Sequence, residues 1–376
     1  MRKRNFLVAA GACLAALTLA TPMALADPVP AGRPRQLAGM GSGVTEDVMN
    51  ALSQIPASPI IGSYNAYGPL LPGPVGTKQA GCSLDRVIPR AGGFDLIDSN
   101  LSRDGVQALV DQRTAAENDN PDRRPCLDFA RSTVNLSQDP QFQNMGLTFV
   151  PFASDQVSVV TRRDGLLAPN FTPAQLSAIF RCTAAGTNAN PPTIVPLLSA
   201  RLPPHPQNNF GTREFFLAAI DITEAQVGTC VGRTDLTVNS PTPLLENQGN
   251  RMTDPRNIMP HSVASLFMQS YGVILNVKDR AEIKRINNMV PRTLTFPLEF
   301  QREVYNVIPT SEIGNPTVSA TFVGPGSTLC SGPLEIGTIV RFGLVPLPDV
   351  RCGATIPAAE LQTPGPPGTN LPGPEI

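Results

Sequence analysis

The sequence predicts a mixed α/β chain built from two structural units, and three observations carry that reading. The chain has 376 residues, enough for two domains by size. Within it, Leu147-Thr-Phe-Val150 and Val157-Ser-Val-Val160 are apolar or alternating runs rich in β-branched and aromatic residues, so both read as strands. Immediately after them, Thr172 precedes Pro173, and Leu176, Ile179 and Phe180 follow at helical spacing. That order gives an N-cap, a proline at the first helical position and an amphipathic helix. A buried strand that hands over at once to a freshly capped helix marks the chain leaving one unit and entering the next.

Composition bounds the function. The net charge is −1, so there is no basic excess to neutralise nucleic-acid phosphates. With 40 prolines and 31 glycines the chain is rich in turns and loops. Residues 1–26 read as a secretory signal peptide: Arg2-Lys-Arg4 is the charged start, Phe6 to Leu19 the apolar core, and Ala24-Leu25-Ala26 the small-x-small site before Asp27. The apolar core falls short of the roughly 20 residues a spanning helix needs, so cleavage is expected, and Cys13 leaves with the signal. No later stretch is apolar enough to span a bilayer. The mature protein is expected to be secreted or extracellular, compatible with cell-wall association, and monomeric.

Six cysteines remain: Cys82, Cys126, Cys182, Cys230, Cys330 and Cys352. An even number in an exported chain reads as disulfides. The competing use is a metal site, but no C-x-x-C pair exists, and His205 and His261 are not at ligand spacing with any cysteine, so neither metal nor cofactor is expected. Several pairings are open from sequence. The set 82–126, 182–230 and 330–352 is chosen because each pair then lies inside one predicted unit.

Local signals fill in the rest. Gly41 to Ser53 reads as a loop and a helix carrying Val48, Met49 and Leu52 on one side, with Thr45 or Ser42 as cap. Ile60 to Tyr67 and Arg86 to Arg90 read as strands, and Asn100 to Leu109 as a helix capped by Ser102. Towards the end, Phe300 to Ile308, Val318 to Val323 and Ile336 to Leu344 alternate like strands, which predicts a C-terminal β-rich extension stapled by Cys330 and Cys352. Residues 353–376 form a Pro/Gly tail expected to be disordered.

Several of these stretches together resemble the phosphate-type extracytoplasmic solute-binding proteins, closest to the secreted, cysteine-containing actinobacterial branch. Pro151-Phe-Ala-Ser-Asp-Gln-Val157 matches PFA-x-D-x-V, and Phe171-Thr-Pro-Ala-Gln-Leu-Ser-Ala-Ile-Phe180 resembles LT-x-x-QL-x-x-IF. Cys126-Leu-Asp-Phe-Ala-Arg-Ser132 is similar to C-x-DFARS, and Pro206 to Leu217 to PQ-x-GSGTR-x-FF. Leu244 to Gly249 resembles an E-N-x-G return segment, and Ile258 to Gln269 resembles I-x-PYS-x-x-x-x-x-Q with His261 in place of tyrosine. The agreement runs from about Gly41 to about Asn287. It implies a two-lobe, type II periplasmic-binding-protein-like fold with a ligand cleft between the lobes. Residues 41–150 plus 255–352, including the β-rich extension, would form the first lobe, and 151–254 the second.

The resemblance also implies a site. Ser42, Thr45, Ser102, Arg131, Ser132, Gly211, Thr212 and Arg213 fall where the family gathers helix N-termini and side chains around a small oxyanion. Three departures stand out. Ser102 follows an insertion, Ala91 to Ser99, and Leu101 replaces the family's glycine. Thr133 stands where phosphate binders carry an aspartate that accepts from protonated phosphate. Phe210 replaces a serine that would meet the ligand.

Three function classes are open to such a chain. The first is a solute-binding protein, by default for phosphate or another small oxyanion, delivering to an ABC permease. The second is a secreted module that keeps the fold without a transport role and binds another ligand, a wall polymer or a protein. The third is an enzyme. No nucleophile–base motif appears, so no catalytic residue and no enzymatic activity are expected.

Overall fold

The computed structural model describes residues 35–55, 60–64, 102–119, 126–187, 192–199, 211–233, 244–293 and 295–355. The signal segment 1–26, the strand expected at 86–90, Cys82, Phe210 and the end of the tail lie outside the described residues. In chain order the strands are β1 (Leu37–Gly41), β2 (Ile61–Ser63), β3 (Phe129–Ser132), β4 (Leu147–Arg162), β5 (Asn170–Phe171), β6 (Val195–Pro196), β7 (Asn257–Ser262), β8 (Ala281–Ile283), β9 (Arg285–Ile286), β10 (Gln301–Pro309) and β11 (Val345–Pro346). The helices are α1 (Glu46–Leu52), α2 (Ser102–Asp119), α3 (Pro173–Phe180), α4 (Gly211–Ala219), α5 (Val263–Ser270), α6 (Pro316–Phe322), α7 (Thr328–Ser331) and α8 (Pro333–Arg341).

The main sheet runs β2-β1-β3-β10-β4-β7-β6, with β8 and β11 pairing β4 off that path. Strands β1, β2 and β3 are mutually parallel, while β10 runs antiparallel to both β3 and β4. The organising element is β4, a single strand of 16 residues. The two short strands expected at 147–150 and 157–160 are its ends. Pro151 did not divide them, because the strand bulges where the pairing passes Val304 and Tyr305. Its first part, Leu147 to Gln156, pairs with β10, and its second part, Val157 to Thr161, pairs with β7.

Burial follows this division. On the first part, side chains alternate between two cores. One holds Phe129, Val304 and Ile308 against Val48, Met49 and Leu52 of α1; the other holds Ala130, Tyr305 and Val307 against Val106 and Leu109 of α2. On the second part, Val157, Val159 and Ile258 enter a core with Phe180 and Phe216, while Val160 and Met259 face Leu244 and Leu266. Two cores on each half make two lobes sharing one strand. Helix α5 packs between them: Ala264 and Met268, four residues apart, meet the first lobe, and Leu266 meets the second.

Local chemistry explains the helix starts. Thr172 accepts from the Gln175 N–H at 3.2 Å while the Gln175 side chain accepts from the Thr172 N–H at 2.8 Å, a complete capping box at α3. Ser262 accepts from the Ser265 N–H at 3.1 Å at α5. Thr45 precedes α1 but does not cap it; its hydroxyl donates to the Ser42 carbonyl at 3.4 Å. Ser102 is the first residue of α2 rather than its cap.

Two expectations for the C-terminal part are corrected. Val318 to Val323 and Ile336 to Leu344 are largely helical, in α6 and α8, so β10 and β11 are the strands that this region contributes. Asn315 caps α6, accepting from the Thr317 N–H at 3.0 Å, and Pro316 takes the first helical position. The buried residues Val318, Thr321 and Phe322 follow helical spacing, which outweighs the short alternation. The span 281–300 was expected in the first lobe, yet Ile286, Phe296 and Phe300 pack in the second-lobe core. The reason is that β8 pairs the far end of β4, and β9 pairs β5.

Cys182–Cys230 and Cys330–Cys352 are bonded, closing separations of 48 and 22 residues. Cys126 is also disulfide-bonded. Loop closure predicts that removing Cys330–Cys352 by paired serine substitution lowers unfolding free energy by about 3 kcal/mol, and removing Cys182–Cys230 by about 4 kcal/mol. Denaturant melts of the two double variants check this; a loss below about 1 kcal/mol would show that the bridges leave the unfolded chain unconstrained.

Candidate functional site

Where β4 passes from one lobe to the other it carries Asp155, which is 1% exposed. Opposite it on β10 stands Arg302, which donates to Asp155 Oδ2 from Nε at 3.2 Å and from Nη2 at 2.8 Å. The other carboxylate oxygen accepts the N–H of Ala264 at 3.2 Å, in the first turn of α5. Asp155 thus ties three elements together and places a negative charge at a helix N-terminus, where it is favourable. A buried ion pair is expensive to desolvate, and satisfied geometry of this kind is what offsets that cost.

Arg302 reaches further. Its Nη2 also donates to Thr212 Oγ1 at 3.0 Å, in the first turn of α4 in the second lobe. The backbone N–H of Thr212 donates to Glu246 Oε2 at 3.2 Å. A line of contacts therefore runs Asp155, Arg302, Thr212, Glu246, from the shared strand to the return segment of the second lobe. Arg302 Nη1 is buried and makes no hydrogen bond among the described residues.

The lobes touch beside this line. Ser102 Oγ accepts the Thr133 N–H at 3.1 Å and lies 3.3 Å from Thr133 Oγ1. A Cβ on Gly211 would collide with Thr133 Oγ1 and come within 3.1 Å of Ser102 Oγ, so the start of α4 meets the start of α2 closely enough to require glycine. Arg103 adds an ion pair across the lobes, to Glu214 at 3.2 Å, while also holding Asp139 at 2.6 Å. An apolar groove of about 600 Å³ lies elsewhere on the second lobe, lined by Leu167, Phe171, Ile179 and Ile194.

The residues named from sequence divide into two groups. Ser102, Gly211 and Thr212 converge, together with Thr133. Ser42, Thr45, Arg131, Ser132 and Arg213 are engaged locally. Ser42 Oγ accepts the Val44 N–H at 3.3 Å. Ser132 Oγ donates to the Val134 carbonyl at 2.6 Å and accepts the N–H of the same residue at 3.3 Å. Arg131 is fully buried; Nη1 donates to Ser63 Oγ at 2.6 Å and to the Tyr64 carbonyl at 2.7 Å, and Nη2 to the Gly41 carbonyl at 3.0 Å. Its guanidinium organises the loop after β1. Arg213 faces Glu224 with Nε and Nη2 and donates to the Ser199 carbonyl, bracing the second lobe from within.

Burial sets the ionisation of this region. Glu246 is partly buried, and desolvation pushes its carboxyl upwards against the opposing pull of Arg302 and the Thr212 hydrogen bonds. His261 on β7 is completely buried, with Nδ1 2.7 Å from the Ser262 carbonyl oxygen, and burial lowers it to about 4. Asp47 in α1 is raised to about 6 by burial, against the pull of Arg131.

The residues that sequence reasoning passed over are Asp155, Arg302 and Glu246. All three stand inside stretches read for their fold value: PFA-x-D-x-V, the strand-like run Phe300 to Ile308, and E-N-x-G. Their mutual approach depends on strand pairing between positions 147 residues apart, a separation no local pattern reports.

Two outcomes follow from the charges. Arg302→Met leaves Asp155 buried without its partner and is expected to cost about 3–5 kcal/mol, most of it regained in the double variant Asp155→Leu, Arg302→Met. Urea melts decide; equal losses in the single and double variants would show that the pair does not act as a unit. The second outcome concerns pH. As pH falls below 6.5 the unfolded chain protonates His261 first, so stability is lost until about pH 4. Asp47 acts in the opposite sense: the folded chain takes up its proton near pH 6, ahead of the unfolded chain at 3.8, so stability is gained. His261→Gln should therefore become more stable from pH 6.5 to 4, and Asp47→Asn less stable, each by on the order of 3 kcal/mol. Parallel acid profiles for the two variants would refute the assignment.

No protein-family model matches the chain, and no curated protein matches it in sequence. Among solved structures the chain is similar to an ABC-type phosphate transport receptor from Vibrio cholerae, at 13% identity and a TM-score of 0.48, covering 83% of this chain and 100% of that one. It is also similar to a phosphate binding protein from Stenotrophomonas maltophilia, at 12% identity and a TM-score of 0.43, covering 83% of this chain and 91% of that one.

Proposed function

We propose that this chain is an extracytoplasmic solute-binding-like protein, a binding module rather than an enzyme, whose interlobe cleft takes a small ligand and holds free phosphate weakly or not at all. The fold, the disulfides and the convergence of Ser102, Thr133, Gly211 and Thr212 between the lobes support a cleft-binding role. The observation that carries the phosphate part is the fate of the arginines. Arg131 serves Ser63, Tyr64 and Gly41, and Arg213 serves Glu224 and Ser199. Arg302 and Arg103 already face Asp155, and Asp139 with Glu214. A buried oxyanion needs positive charge and donors on nearly every oxygen, and an unmet polar group costs about 1–3 kcal/mol. Here the cations at the boundary are matched by carboxylates.

Delivery to an ABC permease is the transport form of this reading. The other form is a secreted module without transport, retaining the cleft for a different small ligand. Calorimetry on ligand-stripped, secreted protein tests the shared part. Phosphate is expected to bind with a constant weaker than about 1 μM, or about −8 kcal/mol. Sub-micromolar binding would overturn this reading and restore a phosphate carrier.

A further inference from the structure

One ion pair between the lobes is only half made. Arg103 Nη2, in the first turn of α2, donates to Glu214 Oε1 at 3.2 Å across the lobe boundary and lies 2.6 Å from Asp139 Oδ2 in its own lobe. The Nε of Arg103 and the Oε2 of Glu214 are both buried and have no hydrogen-bond partner among the described residues. A guanidinium presents Nε and Nη2 as a fork that fits both oxygens of one carboxylate. The molecule completes that fork elsewhere. Arg351 donates to Glu303 from Nε at 2.8 Å and from Nη2 at 2.6 Å, and Arg162 donates to Asp164 at 2.9 Å and 2.7 Å. Between Arg103 and Glu214 only the Nη2 half exists. The two atoms without partners are the two that would make the other half.

The second acceptor explains the missing half. Asp139 is fixed in the first lobe: its Oδ1 accepts the Gln141 N–H at 2.9 Å, and its carbonyl accepts the N–H groups of Phe142 and Gln143 at 2.8 Å each. The Gln141 amide donates to Gln107 Oε1 at 2.7 Å, one turn along α2 from Arg103. A carboxylate anchored in this way holds the guanidinium on the first-lobe side. We propose that Arg103 is a latch that sets the angle between the lobes, and with it how readily the cleft admits a ligand: Asp139 holds it back, Glu214 draws it across, and further closure completes the fork to Glu214. The latch goes beyond the solute-binding reading and does not depend on it, because the lobes have an angle whatever the cleft takes. The side chains of Arg103 and Glu214 are 14% and 34% exposed. A pair so close to solvent contributes modestly, so a single side chain can shift the balance between lobe angles.

The test reads the distance between the lobes in ligand-stripped, secreted protein. Dyes on ketone-bearing amino acids at Leu166 in the second lobe and Leu334 in the first, both exposed, report it by single-molecule energy transfer without adding a cysteine. Glu214→Ala is expected to raise the open fraction about two- to fivefold, the scale of a partly exposed ion pair. Asp139→Asn keeps an acceptor for the Gln141 N–H and is expected to lower the open fraction. In the double variant the Asp139 change has no further effect, because it acts through Glu214. Salt gives a measurement that needs no latch variant to fold: raising sodium chloride from about 0.05 to about 0.5 M opens the lobes of the wild-type latch by screening the pair. An unchanged distance in Glu214→Ala, an opening in Asp139→Asn, or a salt-insensitive wild-type latch would overturn the proposal. Calorimetry that finds no solute leaves this test standing, and a distance indifferent to these changes removes the latch without touching the binding result.

Discussion

The buried pair between Asp155 and Arg302 is the constraint on which this architecture depends. It sits near the end of the run of β4 with β10, two residues before the run with β7 begins. A strand that serves two lobes needs something to fix the angle at which it passes between them, because apolar packing on either side is nondirectional. Two guanidinium N–H groups converging on one carboxylate oxygen are directional, and desolvation makes any misalignment costly. The free oxygen of Asp155 holds α5, and the far side of Arg302 holds α4. One pair thereby positions two helices from different parts of the chain.

The same logic of matched charge governs the space between the lobes. Arg103 joins Glu214 to Asp139, and Arg131 lies 3.8 Å from Glu46 while organising the loop after β1. The lobes meet through Gly211, whose missing side chain lets Thr133 and Ser102 approach. Among the described residues, the boundary between the lobes is held by internal ion pairs and hydroxyls.

Much of the fold was legible in the sequence, for identifiable reasons. The Thr172-Pro173 start of α3 and the apolar face of α1 are local devices whose energetics lie within a few residues. Two disulfide pairings followed from keeping each bridge inside one unit. The strand–helix ambiguity of Val318 to Val323 shows the limit: six residues fit period two and period 3.6 almost equally, and the decisive signal was Asn315-Pro316 just before them. The lobe assignment of 281–300 failed for another reason. Aromatic residues such as Phe296 and Phe300 can fill either core, and which one they enter is settled by the partners of β8 and β9.

For the site, sequence determined which residue types were available near each helix start: hydroxyls at Ser102 and Thr212, glycine at 211, and carboxylates at 155 and 246. Only the tertiary structure decided their use. Arg131 and Arg213, which stand in motif positions suited to an anion, turn to backbone carbonyls and Glu224, while Arg302, read as part of a strand, supplies the cation at the boundary. The physical reason is that an arginine's role depends on which acceptors come within about 3 Å of its fork, and that is fixed by long-range pairing rather than by its neighbours in sequence.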